Sequence, residues 1–274
     1  MKIALFDSGV GGISVLRKLI TLFPRFDYIY FGDIANSPYG TKSDQELSVI
    51  VNRILNFLES KKVDIIVAAC NTADSITKRC LENKSGTPYV SIVENIKRIV
   101  KTDRVGVVAT ESTIKSGIYE KILKERIVYK KSLQPLVMAI EKDFKNKELI
   151  TNIIKQSVRD IEKYDVKELV LGCTHFPLVQ DIFKKVLPML DIVDPADGVV
   201  ESIRDKVGGE NNRYKKNIVN VEFYTSGKPK DFERRIRNLI DLERLEFSIY
   251  RIEFGGVENE ANIHNFWTVR CGEE

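Results

Sequence analysis

Ile65-Ile66-Val67-Ala68-Ala69-Cys70-Asn71-Thr72 is an apolar run that ends on a thiol and two short polar side chains. Its length and its β-branched residues read as a strand delivering Cys70 to a strand end. Farther along, Glu168-Leu169-Val170-Leu171-Gly172-Cys173-Thr174-His175 repeats the arrangement, with Cys173 lying 103 residues beyond Cys70. The separation is long enough for the two cysteines to occupy matching positions in two halves of a molecule. Two thiols facing one small substrate suggest acid/base chemistry from opposite sides.

Further apolar runs predict strands at Ile3–Phe6, Tyr28–Phe31, Tyr89–Val93, Val105–Ala109 and Asp191–Val193, several followed by a helix. Leu47, Ile50, Val51, Ile54, Leu55 and Leu58 recur at helical spacing within Ser43–Leu58, which predicts one face packed on a sheet. The same pattern in Leu149, Ile153, Ile154, Val158 and Ile161 predicts a helix over Lys147–Tyr164. Strands alternating with helices are an α/β organisation, and open α/β sheets form ligand crevices at the carboxyl ends of their strands. Both cysteines are expected there.

Bulk properties set limits on function. A chain of 274 residues with 43% hydrophobic content can bury a large core, as one big domain or two smaller ones. The net charge of +4 comes from interspersed signs, so the sequence supports no nucleic-acid site. No apolar span is long enough for a membrane helix. The chain enters its first predicted strand at Lys2 without a leader pattern, which makes a cytoplasmic enzyme the expectation. The four cysteines, Cys70, Cys80, Cys173 and Cys271, are too thinly spread for a disulfide scaffold, and Cys80 and Cys271 read as structural or incidental.

Three loops carry candidate chemistry. Asp7-Ser8-Gly9-Val10-Gly11-Gly12 follows the first strand, and its amides at a helix start can hold a carboxylate. The same composition also suits a simple strand-to-helix turn capped by Asp7 or Ser8. It is no nucleotide fingerprint, since the G-x-G-x-x-G spacing is absent. Gly32-Asp33-Ile34-Ala35-Asn36-Ser37-Pro38-Tyr39-Gly40 reads either as a binding loop walled by Tyr39 or as a plain connection. At Cys70, a helix N-terminus can lower a thiol pKa enough to yield a thiolate that removes the α proton of an amino acid. Asn71 and Thr72 stand beside it to bind polar groups, although a lone cysteine of this kind also suits simple core packing. His175, one of only two histidines with His264, stands next to Cys173 and can orient or polarise groups around its thiolate. Cys173 and His175 give at most two ligands, so no metal is expected.

Taken together, Phe6–Gly12, Gly32-Asp33 with Pro38-Tyr39-Gly40, Cys70-Asn71-Thr72-Ala73 and Leu171–Leu178 resemble the glutamate racemases of the aspartate/glutamate racemase family. A weaker match follows at Tyr224-Thr225-Ser226-Gly227. The resemblance implies two pseudo-symmetric α/β domains with mainly parallel sheets and a central cleft. The first domain would comprise residues 1–95 plus 206–274 and the second residues 96–205. It also implies a cofactor-independent enzyme, usually a cytoplasmic homodimer, that interconverts L-glutamate and D-glutamate for peptidoglycan, and hence for cell wall biogenesis and cell shape.

Carried onto this chain, the resemblance makes Cys70 the base toward the D enantiomer and Cys173 the base toward the L enantiomer. Asp7 would assist Cys70, and His175 and Glu141 would assist Cys173. Asp7, Ser8, Pro38, Tyr39, Gly40, Asn71, Thr72, Thr110, Thr113, Thr174 and His175 would join the two cysteines in holding the substrate. The chain departs from the family pattern at Ile34 and Asn36, at Glu94-Asn95-Ile96, and at Glu111-Ser112-Thr113. Two other readings of the same residues are an aspartate racemase and an inactive glutamate-binding regulatory protein. Nothing in these residues supports a gyrase interaction.

Overall fold

The computed structural model describes residues 1–81, 86–208, 218–254 and the strand 261–269. Cys271 lies outside the described residues. In chain order the elements are β1 (Lys2–Asp7), α1 (Ile13–Leu22), β2 (Asp27–Gly32), α2 (Asp44–Ser60), β3 (Ile65–Ala68), α3 (Asn71–Leu81) and β4 (Tyr89–Ser91). They continue with β5 (Val105–Ala109), α4 (Glu111–Ser116), α5 (Ile118–Leu123), β6 (Ile127–Ser132), α6 (Gln134–Asp143), α7 (Lys147–Ser157), β7 (Glu168–Gly172), α8 (Gln180–Val186) and β8 (Asp191–Val193). The last are α9 (Pro195–Lys206), β9 (Val219–Thr225), α10 (Pro229–Ile236), β10 (Leu245–Phe254) and β11 (Ala261–Val269).

These strands form two sheets, ordered β11-β10-β9-β2-β1-β3-β4 and β6-β5-β7-β8. Only β11, paired with β10, runs antiparallel; every other pairing is parallel. Within the larger sheet β2-β1-β3-β4 has the same order as β6-β5-β7-β8, namely second strand, first, third, fourth. In each, the chain pairs on one side of its first strand and then crosses to the other, which puts a topological switch point at the carboxyl end of β1 and of β5. The strands that follow the switch, β3 and β7, are the ones that end at Cys70 and Cys173. The Phe247–Phe254 run lies within β10 and extends the larger sheet beyond β9.

Burial explains why the strand sequences lack alternation. Ile3, Ala4, Leu5 and Phe6 are all fully buried, as strands covered by helices on both faces must be. One apolar cluster runs without a break from the larger sheet into the smaller, through Leu5, Val67, Val107 and Val170, and takes in Leu16 of α1 and Val199 of α9. Leu47, Ile54 and Leu58 of α2 pack the outer face of the larger sheet, and Ile150 and Ile154 of α7 that of the smaller.

One expected element is interrupted. The helix predicted over Lys147–Tyr164 stops at Ser157, Val158 takes a non-helical conformation (φ −108°, ψ 16°), and Ile161–Tyr164 forms a 3-10 turn. Val158 and Ile161 are both buried, so the turn keeps the apolar spacing while leaving the helix. Tyr129 of β6 donates to Asp160 at 2.9 Å and ties the turn to the sheet edge.

Helix α9 lies against the 3-10 turn Glu94–Arg98 and against α1, where Lys18 pairs with Asp194 at 2.7 Å. The approach is close enough that a Cβ on Gly198 would stand 2.4 Å from the carbonyl oxygen of Asn95. A main-chain oxygen cannot swing aside as a side chain can, so overpacking here is expected to cost about 1–3 kcal/mol, enough to outweigh the better helix propensity of alanine. Gly198→Ala should therefore lower the urea midpoint and reduce Tm by several degrees. Unchanged stability in both measurements would show that α9 can slide off the turn without loss.

Candidate functional site

The loop after β1 folds around the Asp7 carboxylate. Asp7 is fully buried, and its Oδ2 accepts from the amides of Gly9 (3.2 Å) and Gly12 (3.0 Å). Helix α1 begins one residue later with Gly12 as its N-cap and no side-chain cap. The glycine-rich amides thus hold the protein's own carboxylate, and Asp7 acts through the loop instead of capping α1 in the simple way. Two of the glycines are required by contact. A Cβ on Gly11 would lie 2.6 Å from Thr174 Oγ1 and 2.7 Å from His175 Nδ1, and one on Gly12 would lie 2.9 Å from the Cβ atoms of Asp7 and Ala69. The loop of one sheet is pressed directly onto the Cys173 segment of the other.

Cys70 follows β3 and immediately precedes α3. Its Sγ accepts from the amide of Ala73 at 3.5 Å and lies 3.9 Å from Ser8 Oγ. Burial pushes the Cys70 thiol far up, the Asp7 carboxylate adds to that, and the amides of Ala73 and Ser8 oppose it. Asp7 itself is raised by burial against the opposing pull of His175, the two loop amides and Cys70. Burial thus shifts both groups upward, while the amides and His175 keep the Asp7 shift in check.

Cys173 follows β7 at the equivalent place. Its Sγ lies 3.7 Å from His175 Nδ1, and His175 Nε2 lies 3.2 Å from Glu141 Oε1, within ion-pair distance but misaligned for a hydrogen bond. Burial works against a charged imidazole, yet the contacts with Cys173 and Glu141 outweigh it and hold the His175 pKa well above its usual value. Burial would raise Glu141, but His175, Arg235 and Ser37 bring it below the usual carboxylate range. The pair sets a buried imidazole, raised toward its charged form, and a partly buried carboxylate beside Cys173.

Between the two cysteines lies a cavity of about 20 Å³. Its wall is built by Ser8, Pro38, Tyr39, Gly40, Cys70, Asn71, Thr72, Thr110, Glu141, Cys173, Thr174 and His175, joined by Gln134 and Val137. Two of the residues expected to touch substrate stand behind that wall. Asp7 reaches the site through Cys70 and through Thr174, whose hydroxyl donates to its Oδ1 at 3.4 Å. Thr113 shares hydrogen bonds with Thr72 (3.1 Å) and Thr110 (2.9 Å), and Thr72 and Thr110 are themselves 2.9 Å apart. Tyr39 is held by Asp33, which accepts its hydroxyl at 2.6 Å and also takes the side chain of Asn36 at 3.0 Å.

Sequence reasoning missed Gln134 and Val137, along with Tyr119, whose hydroxyl donates to Asn71 Oδ1 at 2.6 Å and fixes that amide. The available signal was the spacing of Gln134, Val137 and Glu141 at i, i+3 and i+7, one face of a helix. Asn71 Nδ2 and Gln134 Nε2 are buried at the site with no hydrogen-bond partner, so the cavity presents unpaired donors. Such donors suit a carboxylate-bearing ligand. Among the described residues no three His, Cys, Asp or Glu side chains group as a metal site, and no helix is long and apolar enough to cross a membrane.

Known proteins are similar to this chain in sequence and in fold. The glutamate racemase of Carboxydothermus hydrogenoformans is 34% identical over 92% of this chain and 94% of its own length. Among solved structures, a glutamate racemase from Thermus thermophilus in complex with β-chloro-D-alanine superposes with a TM-score of 0.80 at 28% identity, covering 94% of this chain and 98% of that one. A Francisella tularensis glutamate racemase in complex with D-glutamate gives a TM-score of 0.77 at 27% identity, over 90% and 96% of the two chains. The family pattern described as Asp/Glu/Hydantoin racemase matches residues 11–203, and with relatives at this identity over nearly its whole length the chain belongs to that racemase family.

Proposed function

We propose that this protein interconverts L-glutamate and D-glutamate by a two-base mechanism without a cofactor. The observation that carries the reading is that Cys70 and Cys173, at equivalent strand ends of two sheets with the same strand order, face one small cavity. One thiolate would remove the α proton and the opposite thiol would return a proton from the other face. Following the resemblance, Cys70 acts on the D enantiomer and Cys173 on the L enantiomer.

The surroundings supply what such a step needs. The resting Cys70 thiol is held protonated by burial and by Asp7, so it becomes a base only when the substrate ammonium enters and offsets the negative charge beside it. On the other side the His175 imidazolium stands ready to stabilise a Cys173 thiolate, and Glu141 keeps that imidazole charged. The carbanion would form in a closed, low-dielectric site, where the unpaired donor of Asn71 counts for more than in water. Ser8, Tyr39, Gly40, Thr72, Thr110 and Thr174 complete the substrate shell, and Pro38 shapes its edge.

In this reading the enzyme works in the cytoplasm as a homodimer and supplies D-glutamate for peptidoglycan. Its domains are 1–95 with 206–274, and 96–205, with α9 packed across their junction. Aspartate racemisation differs by one methylene of substrate and is separated by assaying both amino acids. Circular dichroism of the protein incubated with each glutamate enantiomer, after metal chelation, should show loss of optical activity from both sides. Conversion of aspartate with none of glutamate would overturn the glutamate assignment.

Serine is a far poorer base than a thiolate at neutral pH, so Cys70→Ser or Cys173→Ser should each lower kcat for racemisation by about 10²–10⁴-fold with the fold retained. With β-chloroglutamate, where proton removal leads to elimination, Cys70→Ser should lose activity chiefly on the D compound and Cys173→Ser chiefly on the L compound. Matched losses on both compounds would refute the assignment of one face to each cysteine.

A second test concerns the pH profile. Glu141 helps hold His175 charged, so Glu141→Gln should lower the pKa of His175 and move the alkaline limb of kcat/KM for L-glutamate to lower pH. The sign follows from the cation: a raised histidine pKa keeps the charge present up to that pKa, and removing its partner brings the loss of charge to a lower pH. NMR titration of the imidazole should shift with it, and a variant with an unmoved limb and an unmoved imidazole would remove Glu141 from this role.

A further inference from the structure

Helix α6 approaches the cavity end-on. Gln134 is its first residue, and Glu141, seven residues on, is the one that meets His175. At 1.5 Å per residue the two lie about 10 Å apart along the axis. The smaller sheet shows the same offset. Gln134 comes two residues after β6, which is two places from β7, the strand that leads to Cys173, about 10 Å at the usual strand spacing. The part of the wall formed by Gln134 is therefore the part away from Cys173 and His175.

The Gln134 amide is oriented there. The main-chain N–H of Glu111 donates to its Oε1 at 3.4 Å, which leaves Nε2 buried without a partner. The amide lies close against Gly40, where an added Cβ would stand 2.5 Å from Oε1 and displace the amide from this position. A buried unpaired donor at a helix N-terminus, where the helix dipole favours negative charge, has the chemistry of a carboxylate subsite.

We propose that Gln134 is a specificity-determining residue whose Nε2 donates to the side-chain carboxylate of the substrate. The assignment rests on the dicarboxylic amino-acid racemase reading above. Groups bonded to the reacting carbon are left to side chains adjoining the cysteines, namely Ser8, Asn71 and Thr174, and the distal carboxylate is left to Gln134.

The test is calorimetric binding of glutamate and glutamine to the full-length wild type, Gln134→Leu and Gln134→Glu, with racemisation kinetics measured alongside. Gln134→Leu keeps the volume and removes the donor, so glutamate binding should weaken by about tenfold or more while glutamine changes by less than about threefold. Gln134→Glu should weaken glutamate further and shift the preference toward glutamine, whose amide can donate to the new carboxylate. Both variants should keep the wild-type melting temperature within a few degrees; if Gln134→Leu fails to fold, the preference of Gln134→Glu decides the question alone. Unchanged glutamate binding in the variants, or equal losses for glutamate and glutamine, would overturn the proposal while leaving wild-type racemisation intact. Wild type that binds glutamate without racemising it would overturn the enzymatic reading and still test Gln134 by binding, and wild type that binds no glutamate would overturn both.

Discussion

The buried carboxylate of Asp7 is the constraint on which the rest of the site depends. A fully buried carboxylate without partners is expensive, and this one is made tolerable by donors from both halves of the molecule. The amides of Gly9 and Gly12 come from its own loop, and the Thr174 hydroxyl comes from the segment that carries Cys173. Satisfying Asp7 therefore requires the loop after β1 and the loop after β7 to touch. Gly11 and Gly12 are the residues that let them, because any side chain there would strike Thr174, His175, Asp7 or Ala69. Once that contact is made, both cysteines border the same small space.

The two halves are alike in topology and unlike in electrostatics. Equal strand order brings Cys70 and Cys173 to equivalent sheet positions, so the pairing of the two thiols follows from the fold repeat. Their backing differs. Cys70 has a carboxylate beside it that resists formation of the thiolate, and Cys173 has an imidazole 3.7 Å away whose own pKa is raised. In the two-base reading proposed above, a symmetric reaction can use an asymmetric site because each thiol need act as base toward only one enantiomer, and as acid toward the other. The opposing charges of Asp7 and His175 also moderate one another across the site, which binds the two protonation equilibria into one coupled system.

Much of this was legible in the sequence because the informative residues lie at strand ends. β1, β3, β5 and β7 are short apolar runs without alternation, and such runs record burial on two faces. Strand β6 is harder to see, since Lys130 and Lys131 break its apolar character at a sheet edge. The break at Val158 was hidden because the apolar spacing continues through it. Glu141 was reachable through family resemblance and Gln134 through its helical spacing from Glu141, but nothing local said which segment Gln134 or Tyr119 would meet. Their importance comes from what the fold sets opposite them, a glycine in one case and the Asn71 amide in the other. A residue whose role is to meet a distant segment has no periodicity to betray it.

The faces by which the halves meet also differ in a way that bears on access. At about 20 Å³ the cavity holds roughly one water, so an amino acid would fit there only if the halves moved apart. On the side of α1 and α9 they share a continuous apolar core, and separating it would expose buried hydrocarbon at about 25 cal/mol per Å². On the side of Thr72, Thr110 and Thr113 they are joined by hydroxyl–hydroxyl hydrogen bonds, which exchange with water at a small net cost. The threonine side is thus the one whose contacts would part at least cost. Two of the three threonines there, Thr72 and Thr110, also line the cavity wall. In the two-base reading proposed above, a closed site keeps water from competing with the opposite thiol for the carbanion.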